Sequence, residues 1–131
     1  MILALDYGER YVGVAVTDPE GRLALRHSVI DQKKGNVVGL VKDILAKEKI
    51  MKILVGVPMS LEGEETQQTH VSLAFIEKLQ EALGDSIEIE PVDETLTSVA
   101  AEENLIRDGV AKDESHAEAA RIILEDYLRA Q

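Results

Sequence analysis

The chain has 131 residues, 14 Lys+Arg, 25 Asp+Glu and no cysteine; that length points to a single domain, residues 1–131, with a core large enough to need no covalent staples. The missing cysteine excludes disulfides, thiolate metal sites and a cysteine nucleophile, and fits a reducing, cytoplasmic setting. A hydrophobic content of 45% beside 30% charged residues reads as globular, no apolar run approaches the roughly 20 residues of a membrane span, and a net charge of -11 argues at first sight against a polyanionic partner.

In chain order, residues 1–7 form a short apolar run ending at an acid. Met1 to Asp6 carry no basic n-region, so this start does not read as a signal peptide. Residues 12–17 are apolar and β-branched, and Asp18-Pro19-Glu20-Gly21 is a turn signal before a further strand at 23–30, which completes a three-strand meander. Asn36 can cap a helix running to about residue 49, with Val37, Val38, Val41, Ile44 and Leu45 at helical spacing. Residues 53–57 are a continuous apolar strand stopped by Pro58. Residues 68–83 read as a helix with Gly84 as its stop. Residues 87–92 read as a strand that ends at Pro91 or lies at an edge. Thr97 caps a helix to about residue 108, and 115–130 is the last helix, with Ala119, Ala120, Ile123, Leu124 and Tyr127 on one side. The order βββ-α-β-α-β-α-α predicts an α/β fold: a mixed sheet flanked by helices.

Four places can carry chemistry. Asp6-Tyr7-Gly8 closes the first strand; Asp6 either caps a turn or is paired or holds a metal, because a lone buried acid is costly. Gly8 lets the backbone turn and leaves the space over the carboxylate open, and Gly13 inside the second strand permits close approach of something else, unspecified by the sequence. The loop from Gly56 through Ser60 to Gly63 follows a buried strand on the usual ligand side of an open α/β sheet; Ser60 and Gly63 there are phosphate-contact candidates, although Glu62, Glu64 and Glu65 make the loop acidic. Asp93 and Glu94 follow the fifth strand, and alternation allows only one of them to face the cleft at the strand ends. His116, in the first turn of the last helix, can ligate a metal, act as a base or be solvated.

The charge is unevenly placed: residues 1–52 hold nine Lys/Arg and seven Asp/Glu, residues 53–131 hold five and eighteen. The acids of the second half either cover solvated helix faces or converge on a site that cations must balance.

Taken together, these pieces resemble the YqgF/RuvX-type pre-16S rRNA nuclease family across essentially the whole chain. The family has an RNase H-like fold related to Holliday-junction resolvases. The run from Leu5-Asp6-Tyr7-Gly8-Glu9-Arg10 to Asp18 is similar to its opening motif, and Gly56-Val57-Pro58 through Gly63 to its G-[LV]-P-x-x-x-x-G loop. Val92-Asp93-Glu94 with Leu96-Thr97-Ser98 is similar to its V-D-E-R segment, and the run from His116 to Leu128 to its D-x-x-A-A-x-x-I-L ending. Three positions depart from the pattern: His116 stands at the family's usual aspartate, Thr95 at its arginine, and Tyr11 where a basic residue is common.

The resemblance implies an RNase H-like five-stranded mixed sheet, an antiparallel meander plus two parallel strands, flanked by helices. It implies a metal-dependent endonuclease of the cytoplasm that processes the 5′ end of pre-16S rRNA in ribosome biogenesis and uses Mg²⁺ or Mn²⁺. On this chain the implied metal ligands are Asp6 as the bridging carboxylate, Glu94 as the second carboxylate and His116 as the third position. Arg10 is the implied steering residue for the phosphodiester, with Ser60 and Gly8 as further substrate contacts. Structured RNA is the implied partner, with branched DNA as the alternative for a Holliday-junction-resolvase-like nuclease acting as a homodimer; a monomer and no membrane partner fit the first reading. A third alternative is a nucleic-acid or ribosome-assembly binding module with a degraded catalytic site, motivated by His116, Thr95 and the acidic charge. The actin-like phosphotransferases share the D-x-G turn but need two such domains to clamp ATP.

Overall fold

The computed structural model describes residues 1–59, 63–93 and 115–131. Strand β1 (Ile2–Tyr7) runs through the centre of a five-stranded sheet. On one side it pairs antiparallel with β2 (Tyr11–Thr17), which pairs antiparallel with β3 (Ala24–Asp31). On the other it pairs parallel with β4 (Lys52–Val57), which pairs parallel with β5 (Glu88–Asp93), giving the order β3-β2-β1-β4-β5. The expected meander and the two added parallel strands are both present. The sequence motif at Asp18 makes the hairpin between β2 and β3: its carboxylate accepts the backbone N–H groups of Arg22 (2.7 Å) and Leu23 (3.2 Å), and Gly21 supplies a positive φ of 71°.

Among the described residues three α-helices flank the sheet: α1 (Val37–Lys47), α2 (Gln67–Leu83) and α3 (Ser115–Arg129). Asn36 caps α1 as expected, accepting the N–H of Gly39 at 3.3 Å. Thr66 caps α2 in a reciprocal box with Thr69, one residue earlier than the apolar pattern alone suggests. A 3₁₀ turn over Gly84–Ser86 follows α2. Pro91 does not end β5; the strand continues to Asp93, and proline is tolerated because β5 is an edge strand. The helix expected from Thr97 to about residue 108 lies outside the described residues.

Strand alternation divides the core in two. Leu3, Leu5, Val12, Val14, Val16, Ile53 and Val55 face α1 and α2 and pack with Val37, Val41, Ile44, Phe75 and Leu79. Ala4, Ala15 and Leu54 face the opposite way, against Ala120, Ile123 and Leu124 of α3. Full burial of each large aliphatic side chain on the first face contributes about 1.5–3 kcal/mol. The small residues on the second face contribute less, but they let a helix come close.

Candidate active site

Asp6 has the parity of Ala4, so it faces α3, at the C-terminal end of the central strand. Its neighbours across the sheet are glycines on both sides: Gly13 on β2 and Gly56 on β4 stand in register with it. The carboxylate therefore stands in a lane with no flanking side chain, although the residue is only 6% exposed.

Gly13 decides where α3 sits. A Cβ at that position would lie 1.8 Å from the carbonyl oxygen of His116 and 2.5 Å from the backbone nitrogen of Ala117. The first turn of α3 thus rests directly on the bare backbone of β2, as the glycine in that strand predicted. The contact brings the imidazole of His116 over the strand end, with its Nδ1 3.2 Å from Oδ2 of Asp6. The ring lies beside Tyr11, with centroids 5.9 Å apart. Gly8 is the second close contact: a Cβ there would meet the carbonyl oxygen of Tyr11 at 2.6 Å and Cε1 of His116 at 3.0 Å. The other end of α3 is tied to β4 by Lys52, whose ammonium donates to the Tyr127 hydroxyl at 2.8 Å and pairs with Glu90 at 3.4 Å. The Tyr127 hydroxyl, with the two acids of β5, holds the Lys52 pKa above the usual lysine value.

Arg10 belongs to the loop between β1 and β2. Its guanidinium lies 5.0 Å from the ring centre of Tyr11 and pairs with Asp31 at 3.5 Å. Asp31 is held below the usual carboxylate range by the backbone N–H of Lys33 and then by Arg10 itself, so it stays ionised as the arginine's partner. The pair is largely exposed on the arginine side, where such bridges are weak and exchange readily for a stronger anion.

The structure thus brings together Asp6, His116, Gly8 and the Arg10 loop. Glu94 and Ser60 lie outside the described residues, as do Asp113 and Glu114. Of the described chain leading up to Glu94 and Ser60, β5 carries Val92 on the α3 side of the sheet, and Thr69 of α2 donates to the carbonyl oxygen of Pro58. Glu118, the acid nearest His116 on α3, is buried and engaged by Arg121, so it is taken up within the helix. Gly56 as the second bare neighbour of Asp6 was not read from the sequence; its only signal was a glycine inside an apolar strand.

Asp6 and His116 fit a hard divalent cation as a partial donor set. A nearly buried carboxylate that has one hydrogen-bond partner among the described residues keeps lone pairs that these residues do not use, and two neighbouring donors on an octahedral ion at about 2.1 Å stand about 3 Å apart. No cluster of three His, Asp or Glu side chains able to hold an ion occurs among the described residues. The pair therefore needs at least one more ligand or ordered water.

The RuvX family model, described as Holliday junction resolvase, matches residues 1–130. A protein of Chloroflexus aurantiacus named "Putative pre-16S rRNA nuclease" is 36% identical over 136 residues, covering 100% of this chain and 88% of the relative. Proteins of the same name from Sulfurihydrogenibium sp. and Flavobacterium psychrophilum are 37% and 34% identical, each covering 97% of this chain and 88% and 95% of the relative. Among solved structures, Thermus thermophilus RuvC in complex with a Holliday junction substrate superposes with a TM-score of 0.58 at 16% identity, covering 98% of this chain and 93% of that one. The fold is therefore the RNase H-like fold of RuvC, and the chain belongs to the RuvX family.

Proposed function

We propose that this chain is a single-domain, divalent-metal-dependent nuclease that processes the 5′ end of pre-16S rRNA in the cytoplasm. The observation that carries the reading is the pairing of a nearly buried strand-end carboxylate, Asp6, with His116 in a glycine-lined lane, in a chain of the RuvX family. The relatives' name supports pre-rRNA as the substrate.

In this reading Asp6 and His116 bind Mg²⁺ or Mn²⁺ and Glu94 supplies the second carboxylate. A bound divalent ion supplies Lewis acidity, lowering the pKa of an attacking water and stabilising charge on the leaving oxygen. Gly8 makes room for the ring of His116 and Gly13 for the backbone of α3, Arg10 exchanges Asp31 for the phosphodiester and orients it, and Ser60 contacts a phosphate oxygen. Oxygen donors suit Mg²⁺ and Mn²⁺ better than imidazole does, so His116 lowers affinity relative to a third carboxylate and tilts the site toward Mn²⁺.

The test is incubation of the purified protein with Mn²⁺ or Mg²⁺ and a labelled pre-16S rRNA leader. Metal-dependent cleavage that disappears in Asp6→Ala is expected; cleavage unchanged in that variant overturns the site. The family description favours a second reading, resolution of four-way DNA junctions by a homodimer. A dimer that cuts junctions symmetrically and leaves the leader intact supports it. A protein that binds RNA without binding Mn²⁺ at millimolar concentration supports an assembly module with a degraded site.

A further inference from the structure

Tyr7 follows Asp6 in β1, so its side chain emerges on the opposite face of the sheet, toward α1 and α2. There it borders a cleft of about 740 Å³ formed by the end of β1, the turn between β3 and α1, and one side of α2. The ring of Tyr7 stacks on buried Phe75 with centroids 4.1 Å apart and planes 17° apart, which fixes an aromatic surface at the cleft. Lys33, Lys34 and Lys78 stand around it, all exposed, and none of them forms an ion pair within the described residues. No carboxylate is among the described residues that line the cleft, although the chain carries a net charge of -11. A second cavity, about 530 Å³ between β3 and α1, shares Lys34 with the cleft but differs in character, since Asp31, Asp43 and Glu48 also line it.

Gln32 links the cleft to the candidate active site. Its amide nitrogen donates to the carbonyl oxygen of Gly8 at 2.7 Å, and its amide oxygen accepts the Tyr7 hydroxyl at 3.4 Å. The backbone that shapes the ground beside Asp6 is thereby joined to the aromatic surface of the cleft.

We propose that this cleft is a nucleotide subsite for single-stranded nucleic acid: phosphates lie on Lys33, Lys34 and Lys78, and a base packs against the Tyr7–Phe75 stack. An unpaired basic rim over an aromatic floor matches a nucleotide, whose phosphate is anionic and whose base offers a flat apolar face. The subsite holds the strand that continues from the phosphodiester at Asp6, and in that respect it rests on the nuclease reading.

Binding measured in EDTA separates the two. The probe is a fluorescently labelled single-stranded RNA of about ten nucleotides, followed by anisotropy at about 50 mM salt and upward. Combined Lys33→Gln, Lys34→Gln and Lys78→Gln is expected to weaken binding at least about tenfold and to reduce the slope of log affinity against log salt by about two, at roughly 0.7 for each phosphate no longer neutralised. Tyr7→Leu weakens binding about fivefold or more with the salt slope retained, and Tyr7→Phe restores it. Lys42→Gln, on exposed α1 surface away from the cleft, binds as the wild type does.

Wild-type protein that does not bind the RNA, a triple variant that binds equally well, or Lys42→Gln weakened as much as each cleft lysine overturns the subsite. Competition by polyglutamate as strong as by polyuridylate overturns the assignment to a nucleotide. Lysine- and Tyr7-dependent binding without cleavage in Mn²⁺ leaves the subsite standing and removes the nuclease reading. Cleavage with lysine-independent binding does the reverse.

Discussion

On the α1–α2 face of the sheet, β1 and β2 contribute Leu3, Leu5, Val12, Val14 and Val16; on the α3 face the same two strands contribute Ala4, Asp6, Gly13 and Ala15. The first face fills space and the second withholds it. Bulky aliphatics keep α1 and α2 at side-chain distance and supply the apolar burial that holds the sheet. Bare backbone at Gly13 lets α3 descend until His116 reaches Asp6. In the proposed reading, the two-residue period of one strand puts stability and chemistry on opposite sides, and changes one residue apart should separate them.

The largest effect on stability is expected from Leu5→Ala, which empties a fully buried site and costs about 2–5 kcal/mol in denaturant unfolding. Cleavage per folded molecule should survive. Its neighbour on the other face behaves inversely: Asp6→Asn should lower cleavage at least about a hundredfold while leaving the melting temperature unchanged or higher. A marked fall in melting temperature for Asp6→Asn with activity intact would make Asp6 a turn cap and break the comparison.

Gly13→Ala comes next. Its added methyl meets backbone, which cannot swing aside, so the start of α3 must shift. Overpacking of this kind costs about 1–3 kcal/mol. It should cost more activity than Val14→Ala, which alters the other face of the same strand, and parallel melting and cleavage measurements check the pair.

His116→Asp sharpens the second face further. Without metal, a new carboxylate beside Asp6 is repelled and the protein should melt earlier than the wild type. With saturating Mn²⁺ the order should reverse, since the third carboxylate binds the ion more tightly and a hundredfold lower Kd than the wild type's adds about 2.7 kcal/mol. An unchanged difference between melting in EDTA and in Mn²⁺ would show that position 116 does not face the ion.

The smallest effect is expected at Asp18, which lies on neither face. The N–H groups of Arg22 and then Leu23 hold its carboxyl below its ordinary value of 3.8. A depressed pKa adds stability that is fully present above the ordinary value and is lost as pH falls through the folded one. Asp18→Ala should therefore be slightly less stable at neutral pH, show a flatter loss of stability below about pH 4, and cleave normally.

Much of this organisation was legible in the chain. The strands and described helices fall within one or two residues of their patterns, because periods of 2 and 3.6 are local properties. Asp6 and Gly13 announced themselves as residue types that a buried strand tolerates only for a reason, and Gly8 as a sharp turn after the acid. The pairing of His116 with Asp6 was reached only through resemblance to a family, since 110 positions separate them and no local rule joins them. The lysine-rimmed cleft was not reached at all. Its residues come from three separate segments, and Lys33, Lys34 and Lys78 look like ordinary surface lysines until the fold gathers them.

The net charge misleads for the same reason. A total of -11 belongs to the composition, but the field a ligand meets depends on which charges share a surface. By itself the sequence determined the described elements and the acids that needed a partner, because these follow from neighbours along the chain. Only the tertiary structure decided that α3 lies close enough to Gly13 for imidazole and carboxylate to meet, and that unpaired lysines surround Tyr7. Both are distances between segments remote in sequence, set by how helices pack on the sheet.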